Sequence, residues 1–254
     1  ELGSLAGKGG VTSITGNVTL NATRAGLVNS NNSITNSNGD INYILSNAID
    51  VDAAAALVAK VSSNGSTDFT NGISDTFDKY VNSSTDATGL STNFTSVKAA
   101  DSNAPVAIST TLTSAAHVKA LNALAGNYSG AITATVTSTE AILDDITGSL
   151  LNTTVTVTDD VSIAEYDIIK ATTANAVQFD DTTGMIKDSI DNLYSATGTN
   201  KRVTSLNNAI KGDLNMNIQV DGAVTSNFSQ VNDIAGGTDG TDTYLSLIHI
   251  SEPT

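Results

Sequence analysis

Cysteine is absent from these 254 residues. That excludes disulfides, thiolate metal sites and a cysteine nucleophile. Tryptophan is absent too, and aromatic side chains make up 4% of the chain. A core must then be built from Val, Ile, Leu and Ala, which suits thin, regular repeats better than an enzyme with a deep pocket. Cations are scarce: 11 Lys and Arg stand against 26 Asp and Glu, for a net charge of −15 and a pI near 4.1. Nucleic acid and anionic membrane surfaces both need clustered Lys and Arg, so neither is expected as a partner. The acidic balance is compatible with divalent cations and with solubility outside a cell. No apolar run approaches the roughly 18–20 residues that span a bilayer, so no transmembrane segment is expected. The chain opens at Glu1 with neither an initiating Met nor a signal peptide, and reads as an internal piece of something longer.

What is present is periodicity. In Ile132-Thr-Ala-Thr-Val136 apolar residues alternate with threonines, and Val155-Thr-Val157 repeats the pattern. A two-residue period places one set inward and the threonines outward, so these runs read as strands. Val106-Ala-Ile108, Val177-Gln-Phe179 and Ile218-Gln-Val220 look related. Between them the period lengthens. Val118, Leu121 and Ala125, then Ile142, Ile146 and Leu150, then Ile186, Ile190 and Leu193, then Val224, Phe228, Val231 and Ala235 each form one apolar stripe of a short helix. The boundaries are expected at Ser138 to Leu151 and at Ser162 to Thr173. Thr137 with Glu140 and Ser162 with Glu165 read as capping boxes, and Gly126, Gly198 and Gly236 as helix stops.

Strands recur every roughly 22–24 residues, in the range of strand-plus-helix solenoids. A single unit cannot bury its own stripe, whereas stacked units can, with their strands as parallel neighbours. The predicted fold is therefore α/β: a solenoid of short parallel strands alternating with short helices. Residues 104–245 hold the regular repeats, and residues 1–103 form an irregular part with degenerate copies. In that first part Val18 to Leu20 and Ile41 to Leu45 suit strands, and Val51 to Val61 suits a helix. Phe69, Ile73, Phe77 and Tyr80 predict another helix from about Thr67 to Val81, and Phe94 with Val97 a further turn. The loosest packing is expected in residues 62–103. Thr197 to Lys201 reads as an inserted loop, and Val203 to Ile210 suits strand or helix equally. Ser246 to Thr254, with His249 and Pro253, departs from the trend of the rest and resembles a translated sequencing adapter, a non-native tail.

Catalytic chemistry finds little support. Ala6-Gly-Lys-Gly-Gly-Val11 lacks the Gly-Lys-Ser/Thr ending of a phosphate loop. His117 near Ser114 has no evident third member of a triad. The doublets Asp144-Asp145, Asp159-Asp160 and Asp180-Asp181 suit turns and caps better than glycoside hydrolysis, which needs carboxylates across an aromatic cleft. The Asn-x-Ser/Thr sequons at Asn17, Asn93 and Asn152 are expected by chance in so Asn- and Thr-rich a chain.

Two resemblances follow. Thr154-Val-Thr-Val-Thr-Asp-Asp160 with the run from Ser162 to Ile169, and Ile132 to Thr137 with the run from Ser138 to Ile146, resemble tandem repeats of very large bacterial surface proteins, common in marine and cyanobacterial sequences. Those chains are secreted, calcium-associated and adhesin-like or surface-layer-like. The resemblance implies a secreted or cell-surface location and a structural or adhesive, non-enzymatic role. Its partners would be neighbouring repeats of a longer chain and a cell surface or extracellular polymer. The alternatives are a polysaccharide-acting enzyme scaffold or a phage or filament subunit. Gly237-Thr-Asp-Gly-Thr-Asp-Thr-Tyr-Leu245 resembles one calcium-binding RTX nonapeptide, with Thr238 in place of the second Gly. That implies weak calcium binding, with Asp242 as the main side-chain ligand and Asp239 as a second.

Overall fold

Alternation and local capping decide where strands and helices fall in the computed structural model. It describes residues 16–20, 41–45, 47–59, 66–83, 89–147, 152–198, 201–222 and 228–236. The protein is α/β, and its strands and helices are interspersed along the chain. The strands are β1 (Gly16–Leu20), β2 (Ile41–Leu45), β3 (Thr67–Asp68), β4 (Ile73–Asp75), β5 (Val106–Leu112), β6 (Ile132–Ser138), β7 (Asn152–Val157), β8 (Asp160–Val161), β9 (Val177–Phe179), β10 (Met185–Ser189) and β11 (Asn217–Asp221). The helices are α1 (Val51–Val58), α2 (Phe77–Tyr80), α3 (Thr92–Ala100), α4 (Ala115–Asn127), α5 (Glu140–Leu143), α6 (Ile163–Ala171), α7 (Ile190–Leu193), α8 (Thr204–Gly212) and α9 (Phe228–Gly236).

The strand orders are β1-β2-β3, β4-β5-β6-β7-β9 and β8-β10-β11. β1–β2, β2–β3, β4–β5, β7–β9, β8–β10 and β10–β11 all pair parallel. Parallel neighbours cannot be joined by tight hairpins, and α1 lies between β2 and β3, α2 and α3 between β4 and β5, and α6 between β7 and β9. The step between paired positions is not uniform. It is 22 residues from Val155 to Val177 and 24 from Tyr43 to Thr67, but 33 from Ile73 to Val106 and 32 from Met185 to Asn217. The two long steps each hold two helices, α2 with α3 and α7 with α8.

Two compact units divide the chain: Glu1–Thr110 with Lys119–Ala134, and Thr111–Val118 with Thr135–Thr254. The first is packed around aromatics. Tyr80 meets Phe94 edge-on at 5.0 Å between ring centres, and Phe94 meets Tyr128 at 5.0 Å. Such pairs add about 0.5–1.5 kcal/mol beyond their burial. The hydroxyl of Tyr80 donates to the Ile73 carbonyl at 2.9 Å, and that of Tyr128 to the Ala104 carbonyl at 2.6 Å. The second unit is mostly aliphatic, with Val155, Val157, Ile169, Val177, Ile186, Leu193 and Leu206 fully buried. Tyr166 stacks on Phe179 within it, at 6.3 Å.

The alternation in β6 and β7 holds: Ile132, Ala134, Val136, Val155 and Val157 are buried. Thr133 is exposed, whereas Thr135, Thr137, Thr154, Thr156 and Thr158 are half-buried by their neighbours.

Several local expectations are corrected. Thr67 to Val81 is not one helix but β3, a turn, β4 and α2. Gly72, at φ +87°, breaks the run; the Gly72 N–H closes a turn on the Phe69 carbonyl at 2.7 Å. A side chain there would also strike the Pro105 carbonyl, 2.9 Å from its Cβ position. Phe69, Ile73, Phe77 and Tyr80 still meet in one core, reached from three kinds of backbone. Among the described residues of 62–103, Phe69, Ile73, Phe77, Tyr80, Phe94 and Val97 are buried. Ile186 belongs to β10, so α7 begins only at Ile190. The helix expected from Ser138 to Leu151 is the single turn α5, because β6 runs through Ser138. Thr137 is thus in a strand, and the residue before α5 is Thr139, whose side chain makes no cap bond. The box at Ser162 and Glu165 forms in both directions. Gly126 lies within α4 rather than after it, and Gly198 closes a turn on Ser195. Residues 204–210 lie within the helix α8, and Val203 is its extended N-cap.

Candidate functional site

Five aspartates accept from backbone N–H groups of other strand–helix units. Asp75, the last residue of β4, accepts from the N–H of Val51 at 3.1 Å through Oδ2 and from that of Thr76 at 2.8 Å through Oδ1. Asp188, in β10, accepts from the N–H of Ile163 at 3.0 Å and from that of Ser189 at 2.7 Å. Val51 and Ile163 are the first residues of α1 and α6, where N–H groups have no partner inside the helix. A carboxylate there also meets the positive end of the helix dipole. Asp159 does the same for the first N–H of α5, at Glu140, at 2.9 Å. Each clamp joins the end of one strand to the helix of the preceding unit.

A second pair of carboxylates works at helix ends. Asp101 and Asp213 follow α3 and α8 in extended conformations, φ −145° and −141°. Their Oδ2 atoms accept from Phe69 N–H at 2.9 Å and Phe179 N–H at 2.8 Å. Their Oδ1 atoms accept from Asn103 N–H at 3.1 Å and Asn215 N–H at 3.0 Å, closing turns into β5 and β11.

Other titratable groups act locally or are shifted by burial. Asp180 holds a turn, accepting from the backbone N–H and hydroxyl of Thr182 and of Thr183, and those bonds keep its carboxyl below the usual range. Partial burial, then the hydrogen bond with Asp144, raises Glu140. Lys79 is raised by its hydrogen bond to the exposed Asp52, 2.6 Å away. Burial pushes the phenol of Tyr166 up to about 12 and raises Tyr80 and Tyr128 as well.

His117 and Ser114 form a cap: the Ser114 hydroxyl accepts from His117 N–H at 3.2 Å, and the imidazole Nδ1 accepts from Thr113 N–H at 3.2 Å. The doublets do not converge: Asp145 and Asp181 are exposed, and Asp160 lies 3.8 Å from Lys187. Among the described residues no group of three or more His, Cys, Asp or Glu could hold a metal ion. Asp239 and Asp242 lie outside the described residues, as does the Gly loop at residues 6–11. Phe69, Phe77, Tyr80, Phe94, Tyr128, Tyr166 and Phe179 are all buried, so none presents a ring face to a sugar. Among the described residues no helix is long and apolar enough to cross a membrane.

The clamping aspartates were missed from sequence. Two signals mark them: Ile73-x-Asp75-x-x-Asp78 recurs as Ile186-x-Asp188-x-x-Asp191, and Asp101-x-Asn103 as Asp213-x-Asn215. No family model, curated protein or solved structure matches the chain.

Proposed function

We propose that this chain is a segment of an α/β solenoid with a structural or adhesive, non-enzymatic role in a secreted or cell-surface protein. The observation that carries the reading is the use of the carboxylates. Asp75, Asp101, Asp159, Asp188 and Asp213 hold one strand–helix coil to another through backbone N–H groups. Chemistry that an enzyme would direct at a substrate is spent on coil-to-coil attachment. Parallel pairing between successive coils, with strand order largely following chain order, supports the solenoid. Thr133 and Thr135 on β6, Thr154 and Thr156 on β7, and Thr158 just after it, offer uncharged polar contacts. Each contact is weak; many copies on one long chain supply avidity.

The test is retention on extracellular polymer or cell-surface material, comparing free chain with chain displayed in many copies on beads. The expected result is negligible retention of the free chain, strong retention of the beads, and loss with Thr154→Lys and Thr156→Lys together. Equal retention of that variant contradicts the role of the face. Release of reducing sugar from polysaccharide by the purified chain would replace the reading with an enzymatic one. The calcium component of this reading is a site on the order of millimolar, as in extracellular modules, with Asp242 as main ligand and Asp239 as second. Titration calorimetry on the wild type and on Asp242→Ala decides it, and identical heats remove the site.

A further inference from the structure

The structure repeats on a scale longer than one coil. β2 pairs with β3 as β7 pairs with β9, with Tyr43 opposite Thr67 and Val155 opposite Val177. Ile49 and Val161 follow; both are buried and both bridge in parallel, to Ile73 and Ile186. Asp50 and Ser162 then cap α1 and α6, accepting from Ala53 N–H at 2.7 Å and Glu165 N–H at 3.2 Å. After β3 and β9 the chain turns through Gly72 and Gly184, whose N–H groups donate to the Phe69 and Asp180 carbonyls. β4 and β10 carry the clamps Asp75 and Asp188. Next come a four-residue helix, α2 or α7, and an isolated antiparallel bridge, Val81 to Leu90 or Tyr194 to Arg202. The nine-residue helices α3 and α8 end on Asp101 and Asp213, which reach back to Phe69 and Phe179. Val106 and Ile218 then lie opposite Ile73 and Ile186. Equivalent residues stand about 112 residues apart.

A shift of one coil does not reproduce this order. The step from β5 to β6 holds the single helix α4 and no antiparallel bridge among the described residues. Each copy also falls wholly within one of the two compact units. Buried positions keep their apolar character: Leu57 with Ile169, Tyr80 with Leu193, Phe94 with Leu206 and Ile108 with Val220. Positions on the other face of the strands do not keep theirs, since Ser74 opposite Ala107 becomes Lys187 opposite Gln219. The copies thus share an inward face and a set of backbone-to-carboxylate joints, and differ outside.

We infer that residues 43–108 and 155–220 are two copies of one module, whose fixed parts are the joints at Asp75 with Asp101 and at Asp188 with Asp213. The repeating unit of the chain is then this module and not the single coil. The inference rests on the solenoid reading and gives that solenoid a long period of about 112 residues.

Cysteine pairs at equivalent outward positions test it, in a full chain with no cysteine of its own. One variant carries Ser74→Cys with Ala107→Cys and another Lys187→Cys with Gln219→Cys, each pair directly opposite across its strands. Neighbouring strands lie about 4.8 Å apart, inside the roughly 4.4–6.8 Å that a disulfide spans. The controls, Ser74→Cys with Ser109→Cys and Lys187→Cys with Asp221→Cys, are two residues out of register, at about 8 Å. On mild oxidation both opposite pairs are expected to cross-link within the monomer, and both controls to stay open. Amide exchange followed by NMR reads the joints. Asp101→Ala should speed exchange at Phe69 by about tenfold or more and leave Phe179 unchanged, and Asp213→Ala should do the reverse. The cysteine pairs decide the matter even where an aspartate variant unfolds. A pair that cross-links in one copy alone, a control that cross-links as readily as its pair, or a folded Asp213→Ala that leaves Phe179 protected while Asp101→Ala frees Phe69 overturns the two-copy inference. If cysteines at positions 156 and 178, opposite each other on β7 and β9, still cross-link, that inference alone falls; if they do not, the solenoid reading falls with it.

Discussion

Replacing Asp188 with Ala should unfasten α6 from the strand beside it. In the wild type Asp188 Oδ2 accepts from Ile163 N–H at 3.0 Å, while Oδ1 accepts from Ser189 N–H and from Asn192 Nδ2, each at 2.7 Å. Alanine leaves the first amide of α6 without an acceptor in a part-buried position, which costs about 1–3 kcal/mol. It also removes a negative charge from a helix N-terminus, worth about 0.3–1 kcal/mol at an exposed site. The contact to Asn192 is exposed and contributes little. The expected loss is therefore about 2–3 kcal/mol. At about 2–4 °C per kcal/mol for a chain of this size, the melting temperature should fall by about 4–12 °C. Asn at the same position keeps an oxygen acceptor and should cost about half as much. Asp75→Ala removes the equivalent clamp on α1 and should cost the same as Asp188→Ala. Urea unfolding followed by circular dichroism measures all three. A loss below about 0.5 kcal/mol for Asp188→Ala, the range of an ordinary surface change, would refute the clamp, as would an Asn variant as damaged as the Ala variant.

Val157→Asp places an unpaired charge in a fully buried site and should cost several kcal/mol, whereas Thr156→Asp on the outward face should stay near half a kcal/mol; equal thermal shifts would put the faces the wrong way round. The hydroxyl of Thr153 is buried with no hydrogen-bond partner, so Thr153→Val should raise stability by about 1 kcal/mol, and a loss would reveal a partner for that hydroxyl. The neutral phenols of Tyr80, Tyr128 and Tyr166 are favoured by burial, so their stabilisation is complete below about pH 10, the unfolded value, and is lost as pH rises through the raised folded values, about 12 for Tyr166. Ultraviolet titration should show those three ionising together with unfolding, and independent ionisation near pH 10 in a folded chain would contradict their burial.

Legibility from sequence followed the range of the interactions. β6 and β7 could be read because alternation is local, and the Ser162 cap because both of its bonds span three residues. The stretch from Phe69 to Tyr80 was misread because its spacing satisfies a helix, while Gly72 and the approach of the Pro105 carbonyl impose a turn. Glu140 was misread as the far side of a capping box; its own N–H is taken by Asp159, 19 residues on. The clamps at Asp75 and Asp188 depend on parallel register 24 and 25 residues away, which no local pattern encodes.

Disulfide trapping tests the central claim, parallel coils in the stated register, and the absence of cysteine gives it a clean background. Thr156 and Gln178 are opposite each other on β7 and β9. Neighbouring strands lie about 4.8 Å apart, inside the roughly 4.4–6.8 Å separation that a disulfide spans. Thr154 and Gln178 are two residues out of register, at about 8 Å, beyond that reach. With Cys at 156 and 178, mild oxidation should give a cross-linked monomer in high yield; with Cys at 154 and 178 it should not. Cross-linking of the second pair in preference to the first, or of neither, would contradict the parallel register on which the account stands.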